Sequence, residues 1–140
     1  MHTLHTQPLH VTVGEARSAL REALNASGIA IFSEMDQTRE AFNDLLTIPA
    51  SVVFTFGPRM TLWKVLRAAP ALAAELPLKI QLWQDKNLDN WLTYTDLSSL
   101  AAAYETPALL EDADFLQLRQ LMDTLIPLIG GQAPAESSAR

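Results

Sequence analysis

The sequence predicts a single α+β domain with about five strands, several helices and an amphipathic helix near its C-terminal end. Three observations carry that expectation. Short apolar runs of strand length, such as Ser51-Val52-Val53-Phe54-Thr55-Phe56, alternate with segments whose apolar residues recur every three or four positions. Two strand-like runs, 78–84 and 91–95, flank the polar segment Asp85-Lys86-Asn87-Leu88-Asp89-Asn90, the arrangement of an antiparallel hairpin. The chain has 140 residues, 49% of them hydrophobic, which is enough to close one core.

The first helix is the clearest element. Thr12-Val13-Gly14-Glu15 has capping-box spacing, Val13, Ala16, Leu20, Ala23 and Leu24 share one helical face, and Gly28 suits the C-terminal cap. Residues 9–12 before it and Ile29-Ala30-Ile31-Phe32 after it read as short strands, the second too continuously apolar to have one face in water. A second helix is expected from Asp36 to before Pro49, with Phe42, Leu45 and Leu46 facing the core.

After the strand that begins at Ser51, Gly57-Pro58 opens a third helix in which Leu62, Val65, Leu66 and Ala69 share a face up to Pro70. In the hairpin, alternation places Lys79, Gln81 and Trp83 on one face and Ile80 and Leu82 on the other. Asp96 or Ser98 can cap a short helix through Tyr104. Three parts follow: a body over 1–106, a helical extension over 107–129 with Phe115, Leu118, Met122, Leu125, Ile126 and Ile129 as its stripe, and a disordered tail over 130–140. The stripe needs a partner surface, either on this body or on another molecule.

Composition narrows the chemistry. Without cysteine the chain has no disulfide, thiolate metal site or cysteine nucleophile. A net charge of -6 repels phosphate backbones, so no nucleic-acid partner is expected. No uninterrupted apolar run reaches the roughly 18 residues of a membrane span, and Met1-His2-Thr3-Leu4-His5 lacks the features of a secretory signal, so a cytoplasmic address is the default. The three histidines, His2, His5 and His10, all precede the first helix, with His10 as a strand residue and the others on a flexible end. No nucleophile elbow, phosphate-loop lysine or dinucleotide glycine fingerprint is present, and no cofactor or metal is expected.

The middle of the chain resembles the domain of unknown function 302 family. Ile48-Pro49, the strand to Phe56, Gly57-Pro58, the helix to Ala69-Pro70 and the Leu76-Pro77-Leu78-Lys79 step carry the resemblance, which runs over about residues 9–105. The direct Gly57-Pro58 junction departs from the family pattern, in which a polar residue is expected between glycine and proline. The resemblance implies a mixed sheet backed by helices and a homodimer, and it implies no activity.

Four groups of residues are candidates for a site. Gly57, Arg59, Trp63, Lys64 and Arg67 join a helix start to three positive charges and a flat apolar wall, which suits a small anionic or amphipathic ligand. Trp83 and Trp91 face each other across the hairpin and are candidates for a subunit contact. Asp36, Glu40 and Asp44 would share a helix face, the reading favoured being a solvated row rather than a cation site. Asp85, Asp89 and Asp96 are the carboxylates on which a cofactorless enzyme would have to rely. The leading expectation is a non-catalytic accessory domain that dimerises. The alternatives are that enzyme and an interaction module acting through the C-terminal helix.

Overall fold

The computed structural model describes residues 3–131. The strands are β1 (Leu4–Pro8), β2 (Ala30–Asp36), β3 (Ser51–Gly57), β4 (Leu78–Gln84) and β5 (Asn90–Thr95). The helices are α1 (Val13–Ala26), α2 (Gln37–Asn43), α3 (Arg59–Ala68), α4 (Leu97–Ala103) and α5 (Ala113–Leu128), with single 3-10 turns at Pro70–Ala74 and Pro107–Glu111. The α+β class is as the sequence implies. The sheet has the order β1-β5-β4-β3-β2, and every pair in it is antiparallel rather than mixed. The β-α-β pattern at the start does not make a parallel pair, because β1 and β2 lie at opposite sides of the sheet.

Pleating sorts the strand residues onto two faces. Val52, Phe54 and Phe56 of β3 stand beside Leu82, Ile80 and Leu78 of β4, and Leu82 stands beside Leu92 of β5. All seven are buried. They meet Leu20 and Leu24 of α1, Leu62 and Val65 of α3, Leu100 of α4 and Phe115, Leu118, Met122, Leu125 and Ile126 of α5 in one core. The apolar stripe of the segment at the C-terminal end is therefore buried in this shared core. Its cap is Asp112, whose Oδ1 accepts the Phe115 N–H at 2.9 Å.

Where the chain leaves α5, Gly130 has φ +98° and its carbonyl accepts the His10 N–H at 2.8 Å. A Cβ at Gly130 would stand 2.5 Å from Val11 Cγ2, so this position needs glycine for both conformation and space. The tail expected over 130–140 lies, beyond Gly131, outside the described residues. His2 does too.

The capping box of α1 is present in both halves, Glu15 N–H to Thr12 Oγ1 and Thr12 N–H to Glu15 Oε1, each 3.1 Å. Other expectations need correction. The first strand is β1 at Leu4–Pro8 rather than 9–12, because its hydrogen bonds go to β5 and the chain turns before Thr12. His5 is consequently a strand residue with its ring 5.3 Å from that of Tyr94. β2 does not run between two covered faces: it is the last strand of the sheet, and Phe32 and Met35 are exposed. In α2, Phe42, Leu45 and Leu46 do not face the core. The helix has only seven residues and ends at Asp44, Leu45 takes a left-handed φ of +66°, and the three side chains are 69%, 94% and 62% exposed.

Candidate functional site

The opposite face of the sheet carries no helix core. One row across it is Met35, Val53, Gln81, Thr93 and Thr6, and the next is Ser51, Trp83, Trp91 and Pro8. Ser33, Thr55 and Lys79 form a third. Lys79 is the single charged residue in these rows, and its Nζ donates to the Glu75 carbonyl at 3.0 Å. Val53, Met35, Trp83 and Trp91 all stand outside the core cluster.

On this face the two tryptophans predicted to meet across the hairpin do so, with ring centroids 6.1 Å apart and planes 28° from parallel. Both indole N–H groups are used within the chain. Trp83 Nε1 donates to Thr93 Oγ1 at 3.0 Å, and Thr93 Oγ1 lies 2.8 Å from Thr6 Oγ1. Trp91 Nε1 donates to Asp85 Oδ2 at 2.9 Å, while Asp85 Oδ1 accepts the Asn87 and Asp89 N–H groups. These bonds, the one from Trp91 foremost, hold the Asp85 carboxyl below its ordinary pKa. Two of the three carboxylates considered for an enzyme, Asp85 and Asp96, therefore have structural roles. Asp85 folds the hairpin turn, and Asp96, at the far end of β5, caps α4 by accepting the Ser99 N–H at 3.2 Å.

At the turn after β3, Gly57 is buried, with the Leu62 side chain within 2.6 Å of where its Cβ would be. Arg59 lies over two rings, its guanidinium carbon 5.5 Å from the centroids of both Phe32 and Trp63. Trp63 is 44% exposed, and Lys64 and Arg67 are exposed one turn along α3. Of the five residues singled out here, Arg59 and Trp63 are thus in contact, Lys64 and Arg67 are exposed on the same helix, and Gly57 packs against Leu62.

The carboxylate row on α2 dissolves. Asp36 is the N-cap, accepting the Arg39 N–H at 3.0 Å, and Asp44 is the C-cap. Among the described residues no group of three or more histidines and carboxylates could hold a metal. Asp36 belongs instead to a network that joins α1 to β2. Arg17 bonds Glu34 through Nε at 2.6 Å and Asp36 through Nη1 at 2.9 Å, and Arg21 grips both oxygens of Glu34. Arg17 and Arg21 sit at i and i+4 on α1, and Glu34 and Asp36 at i and i+2 on β2, so each pair was visible as spacing. Their meeting depends on how the helix crosses the strand, which no spacing reveals.

Hydrogen bonding from Arg21, aided by Arg17, holds Glu34 below its ordinary pKa, and the Arg39 amide and Arg17 do the same for Asp36. A carboxyl whose pKa is lower in the folded chain stabilises it above the unfolded value, and that contribution is lost as pH falls through the folded value. The melting temperature is therefore expected to decline below about pH 4, where unfolded carboxylates begin to protonate. Glu34→Gln should lower it at neutral pH and flatten the acid decline. Parallel melting curves of wild type and variant between neutral and acid pH would show no difference in slope if the network contributes nothing.

Beside this network is a half-open cleft of about 430 Å³ between the start of α1, α2 and the start of β3. Its walls include Val13, Phe42, Ala50 and Val52, with Arg17 and Arg39 at the polar side. Sequence reasoning did not find it, because it expected Phe42 in the core.

An antiparallel five-stranded sheet with helices packed on one side describes a small α+β domain. A family model, Domain of unknown function DUF302, matches residues 5–126, and the chain belongs to that family. The match extends past the residue-105 limit of the resemblance read from the sequence and takes in most of α5. The chain is similar to the crystal structure of an uncharacterised conserved DUF302 protein from Bacillus stearothermophilus, with a TM-score of 0.69 and 15% identity over 92% of this chain and 97% of that one. At that identity the likeness concerns the fold. No curated protein matches the chain. Among the described residues no helix is long and apolar enough to cross a membrane.

Proposed function

We propose that this chain is a non-catalytic accessory domain that works as a pair of copies joined across the bare face of the sheet. The observation that supports this most is the near absence of charge on that face, in a chain that carries 26 charged side chains as 10 basic and 16 acidic residues. Water-facing sheet surfaces favour charged residues, whereas interface centres are depleted of them and enriched in tryptophan. The stacked Trp83 and Trp91 lie in one row of the face and Val53 and Met35 in the next. Because both indole N–H groups are already bonded, a second copy could cover the rings without stranding a polar group.

Size sets the extent of the contact. Five strands spaced by about 4.8 Å and some 20 Å long give a footprint on the order of 500 Å². A standard interface takes about 800 Å² from each partner, so the face needs added area.

The same reading gives a small anion the basic turn of Arg59, Trp63, Lys64 and Arg67. Its support is local: Arg59 is ordered over two rings, with two further cations on α3 that have no ion-pair partner among the described residues.

Sedimentation equilibrium tests the pairing. The full chain is expected to be a dimer, and Val53→Asp, which places a charge at the centre of the face, is expected to shift it to monomer with unchanged circular dichroism. A monomeric wild type, or a Val53→Asp variant that dimerises as strongly, would end the proposal.

A further inference from the structure

We infer that the cleft between α1, α2 and β3 binds an amphipathic monoanion, a medium-length hydrocarbon or aromatic body ending in one carboxylate. This site is separate from the basic turn and borders the sheet face at Ser51, and it does not depend on the pairing of copies. At about 430 Å³ the cleft falls in the range of small-molecule sites, which are concave, mostly apolar and furnished with a few polar groups.

The lining decides the class of ligand. Val13 of α1, Phe42 of α2 and Ala50 and Val52 at the start of β3 supply apolar walls on three sides. Of the three hydroxyl residues that line the cleft, Thr38, Thr47 and Ser51, the first and last are occupied elsewhere. Thr38 Oγ1 donates to the Pro49 carbonyl at 2.9 Å and accepts the Ser51 N–H at 2.8 Å, and Ser51 Oγ donates to Gln37 while accepting from Gln81. A sugar-like ligand with many hydroxyls would find few partners, while a hydrocarbon would find complementary surface.

Charge sets the head group. Arg17 also lines the cleft, but its guanidinium is divided between Glu34 and Asp36. Arg39 is different: its backbone N–H is bonded to Asp36, while its guanidinium has no hydrogen-bond or ion-pair partner among the described residues. Its charge acts on Asp36 without a direct bond, which leaves the fork free to donate, and a carboxylate is the group that fork matches best. Asp36 holds a negative charge at the same side, which partly offsets the pull of Arg39 and disfavours a dianion more than a monoanion. One charge is favoured and two are not.

Phe42 completes the reasoning from the other end. It is an aromatic ring 69% exposed on a helix that has no buried residue, and it is part of the cleft wall. A ligand lying against it would cover apolar surface that the chain by itself leaves in water.

Titration of the 15N-labelled full chain with decanoate, and separately with decanol and inorganic phosphate, tests the inference. Decanoate is expected to give saturable shifts at residues 13–17, 36–42 and 50–52. Arg39→Gln should weaken it about tenfold, the effect of one lost charge-assisted bond, with Arg39→Lys retaining part of the affinity. Decanol should bind more weakly than decanoate and equally to wild type and Arg39→Gln, and Phe42→Ala should weaken both. All three variants alter exposed side chains, so their folding is expected to persist. The inference is overturned by equal decanoate affinity in wild type and Arg39→Gln, by equal binding of decanol and decanoate to wild type, or by decanoate shifts confined to other residues. Shifts at residues 59–67, with decanoate or phosphate, would place the anion at the basic turn. Sedimentation of the same samples reports separately on the pairing.

Discussion

A chain ended after Thr106 is expected not to fold. The cut removes α5, and with it Phe115, Leu118, Met122, Leu125 and Ile126 from the core. At roughly 1.5–3 kcal/mol for each buried apolar side chain, their loss amounts to about 8–15 kcal/mol. That equals the whole stability of an ordinary domain, about 5–15 kcal/mol. The neighbours fare badly as well, since Leu62 and Val65 of α3 share the core with α5, and Thr61 Oγ1 would lose its 3.0 Å bond to Gln117 Oε1. A milder form of the same test is Phe115→Ala, which should cost about 3–5 kcal/mol. Proton NMR dispersion and the cooperativity of urea unfolding are the measurements. A folded, soluble remainder would reassign α5 to a partner molecule.

Thr93→Val should destabilise the chain by about 1–3 kcal/mol, although the two side chains have nearly the same shape. Thr93 is 9% exposed, and its hydroxyl joins two strands: it accepts the Trp83 N–H and pairs with the Thr6 hydroxyl. Valine would leave the Trp83 donor with no acceptor on a part of the face where water has little access, and an unmet buried donor carries a penalty of that size. In a Trp83→Phe background the donor is gone, so the same substitution should cost much less there. Urea denaturation of the four proteins in this cycle provides the check. Equal costs in both backgrounds would show that the bond adds nothing.

How far the sequence carried can be read from individual residues. The capping box at Thr12 and Glu15, the hairpin about Asp85 and the facing of Trp83 and Trp91 were legible because each depends on residues close in sequence or on strict alternation. The stripe of α5 was legible too, although its partner was not. Phe42, Leu45 and Leu46 misled because apolar residues at helical spacing normally face a core, and here the helix stops after seven residues beyond the last strand. The cleft and the Arg17, Arg21, Glu34 and Asp36 network went unseen for a related reason. The network is made where α1 crosses β2 and the cleft where α1 meets α2 and β3, long-range placements that local patterns do not encode.

The bulge in β2 has a further effect. Ile31 pairs with Phe56 and Ser33 with Thr55, so Phe32 is an extra residue that breaks the ladder. Two residues on, Glu34 and Asp36 bring carboxylates to the rim, tied down by two arginines. The other rim, β1, has five residues and ends in Pro8, which has no N–H to offer. Irregular, charged and proline-bearing margins resist the addition of a further strand, the step by which open sheets grow into fibrils. On the pairing proposed above, a sheet closed in this way at both margins leaves its flat side for the contact. That would limit an otherwise aggregation-prone architecture to two members.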